Sequence, residues 1–260
     1  METTQIKALS GSAGTASLSR PIKARSGSDG TAPTLAVTPR SAFTLVELLV
    51  VIGIIAMLSA LVTPAVMRAQ ATARNAAIKA EIDMLHMAIM NYKNEYGSFP
   101  PCNNPAASYA TGTPPVLHLA RLFPRCSGTI NQFSASGFAG EQAWPALSPS
   151  KALVVWLTGF TDDPANPLRP DSDRKRLFDF DKSRIANFQY SPSGKPGSPY
   201  IYIDRANYGT TFSGYTAAAT DNPDTFQILC AGRDEVWNTG DDLSNFWPST
   251  RKDYLDSLSQ

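Results

Sequence analysis

Three cysteines and two histidines are all the chain holds of the residue types that build most metal centres and thiol or imidazole active sites. Cys102, Cys126 and Cys230 fall in no metal-ligand spacing, which excludes a zinc ribbon and a dense disulfide scaffold. His86 and His118 stand far apart and suggest structural or solvated side chains. Charge is also scarce: only 17% of the 260 residues are charged, and 23 Lys+Arg nearly cancel 22 Asp+Glu. Without a basic field, nucleic acid is not an expected partner. Gly-x-Ser-x-Gly, phosphate-loop, HExxH and dinucleotide motifs are absent as well. Ser148-Pro-Ser-Lys151 fits Ser-x-x-Lys, but its partner motifs are missing. No catalytic residue is assigned, and an enzyme is not expected.

What is present is distributed unevenly. Residues 1–42 are rich in Ser, Ala, Gly and Thr, with five basic residues against Glu2 and Asp29. Such a polar, cationic lead reads as unfolded and cytoplasmic. From Phe43 the character changes to FTLVELLVVIGIIAMLSALVTPAVM, and the 20 residues between Glu47 and Arg68 carry no charge. A helix of that length spans about 30 Å, the hydrocarbon thickness of a bilayer. A buried core helix or a signal peptide are the competing readings. The run is long for either, and its basic lead places residues 1–42 inside and 68–260 outside. Past Arg68, the apolar positions Ile78, Ile82, Leu85, Ile89, Tyr92 and Tyr96 are spaced to share one helical face. Gly97 and Pro100-Pro101 then end the helix.

Glu47 lies at the start of this apolar run, where a carboxylate is expensive and a functional candidate by default. With Ser41-Ala42 ahead of Phe43-Thr-Leu-Val-Glu47, the segment resembles the N-terminal signature of type IV pilins and type II secretion pseudopilins. The resemblance implies cleavage between Ala42 and Phe43 by a prepilin peptidase, N-methylation of Phe43, and an assembly role for Glu47. In low dielectric, the amine freed at Phe43 would attract the Glu47 carboxylate far more strongly than in water. The family uses that attraction between neighbouring subunits to set the register of a filament. Gly53 and Pro64 also fall where family helices loosen or kink. Two departures are plain: the family prefers glycine at the Ala42 position, and its leaders are usually shorter than residues 1–42.

The remainder reads as 98–187, a loop-rich variable region, and 188–260, a β-sheet region. Val116–Phe123 is a short apolar piece, and Lys151–Leu157 suggests a short helix over the sheet. Phe188–Tyr190, Tyr200–Ile203 and Phe226–Cys230 read as short antiparallel strands, which buries Cys230. In an oxidising compartment Cys102 and Cys126 could close a loop worth about 3 kcal/mol, the alternative being two thiols. GKPGSPYIYID is similar to the turn and strand of major pseudopilins, without their tryptophan.

Leu229–Trp247 concentrates Asp234, Glu235, Asp241 and Asp242. Oxygen ligands and glycine turns are what Ca²⁺ requires, while an acidic solvated turn is the plainer reading. The loop resembles the calcium loop of the major pseudopilin. That resemblance implies Asp234, Asp241 and Asp242 as side-chain ligands, with carbonyls from Ala231 and Val236. Glu235 and Asn238 stand where glycine is usual.

The expectation is an α+β, pilin-like chain. It comprises 1–42 leader, 43–67 transmembrane helix and filament core, 68–97 amphipathic helix, and the two regions above. By resemblance it is a single-pass inner-membrane pseudopilin with its C-terminal domain periplasmic. It would self-associate into a filament with minor pseudopilins and an inner-membrane assembly platform. A type IV pilus subunit and a tethered binding module that never polymerises are the alternatives.

Overall fold

The computed structural model describes residues 43–102, 113–126, 147–169, 174–192, 198–212 and 214–259. The expected leader, Ala42 included, lies outside the described residues, as does part of the GKPGSP turn. The chain divides into two units, Met1–Gly53 and Ile54–Gln260. In the first, only the beginning of helix α1 is described, and every described residue there is exposed.

Helix α1 runs Leu45–Tyr96, 52 residues, close to the length that the apolar run and the amphipathic stripe predict together. Pro64 lies inside it and can offer no N–H to the carbonyl one turn back, a local weak point in the hydrogen-bond ladder. Gly97 stops it with φ +79°, donating its N–H to the Lys93 carbonyl at 2.8 Å. Pro100 and Pro101 cannot continue the helix, and their carbonyls are taken by Tyr202 Oη at 2.6 Å and Trp156 Nε1 at 2.8 Å.

The second half of α1 buries the stripe that its periodicity announces. Ile82, Leu85, Ile89 and Tyr92 are fully buried together with Ala88, while Ile78 and Tyr96 pack at the margin. The stripe rests on a domain built from short helices and strands. Helix α2 covers Pro114–Leu122 and α3 covers Pro149–Leu157. From Ala152 to Leu157 every α3 residue is buried, as a helix must be when neighbours cover it on all sides. The expected loop-rich region thus supplies a core helix.

Three antiparallel strands form the main sheet in the order β3-β6-β7: β3 is Ile201–Asp204, β6 is Phe226–Cys230 and β7 is Leu243–Ser244. Ile201 pairs with Leu229 and Cys230 with Leu243. Because strand side chains alternate, the sheet feeds two cores. Tyr200, Tyr202, Phe226, Ile228 and Cys230 join α1 and α3. Ile201, Ile203 and Leu229 join Phe212, Tyr215, Ala217 and Trp247 in the second. The hairpin β4 (Thr211–Phe212) with β5 (Tyr215–Thr216) contributes to that second core. A further hairpin pairs β1 (Ile185–Ala186) with β2 (Gln189–Tyr190). Helix α4, Arg251–Leu258, closes the chain, capped by Thr250, whose Oγ1 accepts from the Asp253 N–H at 3.3 Å.

The fold is therefore α+β: a long N-terminal apolar helix whose distal half packs on small antiparallel sheets. Four strands missed by the sequence reading, β1, β4, β5 and β7, are two residues long each, too short to show an alternating pattern.

Candidate processing and assembly site

At the start of α1, Thr44 and Glu47 form a capping box. The Thr44 N–H donates to Glu47 Oε2 at 2.9 Å and its hydroxyl to the same oxygen at 2.8 Å. The Glu47 N–H donates back to Thr44 Oγ1 at 3.2 Å. Two orphan amides of the first turn are thereby satisfied, and the carboxylate sits where the helix dipole favours negative charge. Sequence reasoning picked out Glu47 but not Thr44, although the Thr-x-x-Glu spacing is itself a helix-start signal.

Around and beyond this box the described side chains are exposed. Phe43 is 73% exposed, and large apolar residues from Leu45 to Met67 stand open on every side of the helix. A helix that is apolar all round and covered by nothing calls for lipid or other helices around it. It is long and apolar enough to cross a membrane.

Residues 38–63 match the prokaryotic N-terminal methylation motif. The chain carries the processing signal of type IV pilin-like proteins. The match spans the Ala42–Phe43 bond, Glu47 and Gly53, and stops one residue before Pro64. No curated protein and no solved structure matches the chain. The motif, with a membrane-capable helix directly behind it, fits a single-pass membrane anchor processed by a prepilin peptidase.

The acidic loop is the second candidate. Gly232 turns at φ +67°, and a Cβ there would meet the Asp241 carbonyl oxygen at 2.3 Å, so only glycine fits. Glu235 and Asn238 adopt φ +59° and +68°. These are left-handed positions where the resemblance puts glycine, and a glutamate there stores about 1 kcal/mol of strain. The carboxylates bond mainly to the loop's own backbone. Asp241 Oδ2 accepts from the N–H of Arg233 at 2.7 Å and of Asp234 at 3.2 Å, and its Oδ1 accepts from Thr239 Oγ1 at 2.7 Å. Asp234 Oδ1 accepts from the Val236 N–H at 2.8 Å. Asp242 Oδ2 accepts from the Asn238 N–H at 2.9 Å, but its Oδ1 is buried with no partner. Burial pushes the Asp242 carboxyl up to about 6, and the Asp241 and Asp234 charges push the same way.

That orphaned oxygen is the feature a cation would satisfy. Among the described residues, however, no three acidic, histidine or cysteine side chains converge as a ready metal cluster. Ala231 is buried at the loop's entry, and the Val236 carbonyl accepts from Thr239 Oγ1 at 3.1 Å.

Cys102 and Cys126 are both buried, and no sulfur–sulfur bond joins them here. The Cys102 thiol donates to Asp204 Oδ1 at 3.0 Å, and Asn207 Nδ2 donates to that oxygen at 2.5 Å. Burial raises both the Cys102 thiol and the Asp204 carboxyl above their ordinary ranges. Cys230 is fully buried in β6, as its sequence neighbours indicate.

The histidines are structural. His118 is not in a loop but on α2, where Nε2 and Tyr92 Oη share a hydrogen bond of 2.9 Å and Trp156 meets the ring edge-on. His86 Nδ1 lies 3.0 Å from Asn245 Nδ2, tying α1 to the segment after β7.

Proposed function

We propose that this protein is a pseudopilin: a structural subunit that polymerises into the pseudopilus of a type II secretion system. Prepilin peptidase cleaves between Ala42 and Phe43 and Phe43 is N-methylated. Residues 43–67 then pack laterally as the filament core. The observation that carries this reading is the methylation motif over residues 38–63, lying on an apolar helix that no protein surface covers.

The mechanism follows from the first turn. Cleavage places a cationic amine at Phe43, beside a carboxylate already held by Thr44. In a bilayer an unpaired carboxylate is costly, so an incoming subunit whose amine reaches Glu47 is favoured over one that is out of register. Neither partner needs a cofactor for this. The domain after α1 stays outside the membrane, in the periplasm, while the anchor holds the subunit in the inner membrane until it joins the filament. Minor pseudopilins and an inner-membrane assembly platform are the further partners this role requires.

Calcium belongs to the same proposal. Asp234, Asp241 and Asp242, with the Ala231 and Val236 carbonyls, would hold the ion. The partnerless Asp242 Oδ1 and the left-handed Glu235 and Asn238 support this reading. A bound ion would supply charge neutralisation that locks the loop against β6 and β7. A Cys102–Cys126 bond, if the exterior compartment forms one, requires the Cys102 thiol to leave Asp204.

The test is fractionation of sheared surface filaments from cells producing wild type or Glu47→Ala. Wild type is expected in the filament fraction, with the variant processed, membrane-bound and absent from it. Equal recovery of the two would favour a tethered module that never polymerises.

A further inference from the structure

The outward side of α1 departs from the usual pattern of an amphipathic helix. Its inward stripe packs on the domain, so the opposite face should carry the charges. Two of those charges turn to the domain instead: Glu81 meets Arg184 at 2.6 Å, and Lys79 Nζ donates to the Ser244 carbonyl at 2.9 Å. One face stays outward and uncharged from Val62 to Met87. Val62, Val66, Ala69, Ala73, Ala76 and Ala80 follow one another at steps of three or four, then Met84 and Met87, and all are exposed. Asp83 borders this face and is paired with Lys79 at 3.0 Å.

At the end of the face the two methionines wall an open groove of about 340 Å³ with Leu177 and Phe178. The second wall is fixed, because both of its amides donate to the Leu157 carbonyl, at 2.9 and 3.3 Å. Met84 is 55% exposed and Met87 60%. The other described methionines are placed differently. Met90 is half-buried against the first core, and Met57 and Met67 lie in the apolar run, where lipid or helices belong. Among the described residues, Met84 and Met87 are therefore the thioethers that a water-borne oxidant reaches first.

A hydroperoxide transfers one oxygen to such a sulfur. The sulfur lone pair attacks, the O–O bond breaks, and the second oxygen leaves as water or an alcohol. The sulfur has then lost two electrons and become a sulfoxide, a polar acceptor in place of an apolar atom. Facing open water this is harmless to the fold. It is penalised once another apolar surface covers the groove.

The occupant this face indicates is a second copy of the chain. Val62 and Val66 belong to the run that assembly packs against neighbouring helices, and the exposed face continues from them to the groove. We propose that Met84 and Met87 form an oxidation site on that contact, where conversion to sulfoxides by a hydroperoxide loosens the hold of one copy on the next. The contact rests on the polymerisation reading; the order of oxidation does not.

The test has two arms. Full-length protein in a non-ionic detergent is treated with hydrogen peroxide and digested, and fragment-ion masses place each added oxygen. Met84 and Met87 are expected to react about tenfold faster than Met90, and ahead of Met57 and Met67. In the second arm, filament fractions are compared from cells producing wild type, Glu47→Ala, Met84→Leu with Met87→Leu, or Met84→Gln with Met87→Gln. The leucine variant should match wild type and keep its recovery after peroxide, whereas wild type loses it. The glutamine variant is polar where the sulfoxides are, and should be recovered about tenfold less without any oxidant. Its unfolding midpoint should equal that of wild type. Equal oxidation of Met90, a lowered midpoint, or a glutamine variant recovered like wild type overturns the proposal. Wild type missing from the filament fraction, or matched there by Glu47→Ala, overturns the polymerisation reading and the contact with it.

Discussion

Glu81 shows how a single side chain fastens the helix to the domain. Its carboxylate takes both Arg184 nitrogens, at 2.8 and 2.6 Å, the Tyr190 hydroxyl at 2.5 Å and the Tyr200 hydroxyl as well. Burial alone would raise this carboxyl, but the donors outweigh it and hold it below the usual range. Glu81→Ala leaves a partly buried guanidinium and two hydroxyls without their acceptor, and should cost about 3 kcal/mol in urea unfolding. His118 carries the clearest pH dependence. Burial, with help from Arg121, lowers its pKa from 6.5 to about 4. Between those values the unfolded chain binds a proton that the folded one does not. Stability should thus be full above pH 6.5 and fall as pH drops toward 4, by up to about 3 kcal/mol. In His118→Gln the unfolding midpoint should lose most of that slope over the same interval. Neither role was legible in the sequence. Glu81 reads as an exposed helical charge until Arg184, 103 residues away, is brought beside it. His118 falls in the region 98–187 that reads as loop-rich, where Pro114 and Pro115 look like breakers, whereas they occupy the first turn of α2, where proline is tolerated.

Among the elements, α1 was the most legible and the acidic loop the least settled. Helix period, charge-free length and the glycine–proline stop all follow from side chains a few residues apart, so α1 could be bounded from its own letters. The strands Ile201–Asp204 and Phe226–Cys230 were visible for the same reason, while their order beside Leu243–Ser244 depends on long-range pairing. In the loop, the sequence marked Glu235 and Asn238 as replacements for glycine, and both do adopt left-handed backbone. Glu235→Gly should therefore stabilise the apoprotein by about 1 kcal/mol by removing that strain. Calcium should raise the thermal midpoint by several degrees, as expected of a ligand in large excess of its Kd. Asp242→Asn should abolish the increment, since it converts the oxygen left without a partner into an amide with no charge to offer. An unchanged midpoint with calcium would leave the loop an acidic turn satisfied by its own amides.

For the whole molecule, an unprotected apolar helix and a well-buried domain belong to one chain with two destinies. Ile54–Gln260 contains both cores and the Glu81 clasp. The apolar run is exposed along its length and calls for lipid or other helices around it. The capping box at Thr44 and Glu47 lies at the start of that run, inside the methylation motif. The most direct measurement is N-terminal peptide mass spectrometry on protein from the membrane fraction. The account predicts a chain that starts at Phe43 and carries one added methyl group on its amine. An uncut chain, or one that starts beyond residue 60, would contradict it, because no amine would then face Glu47.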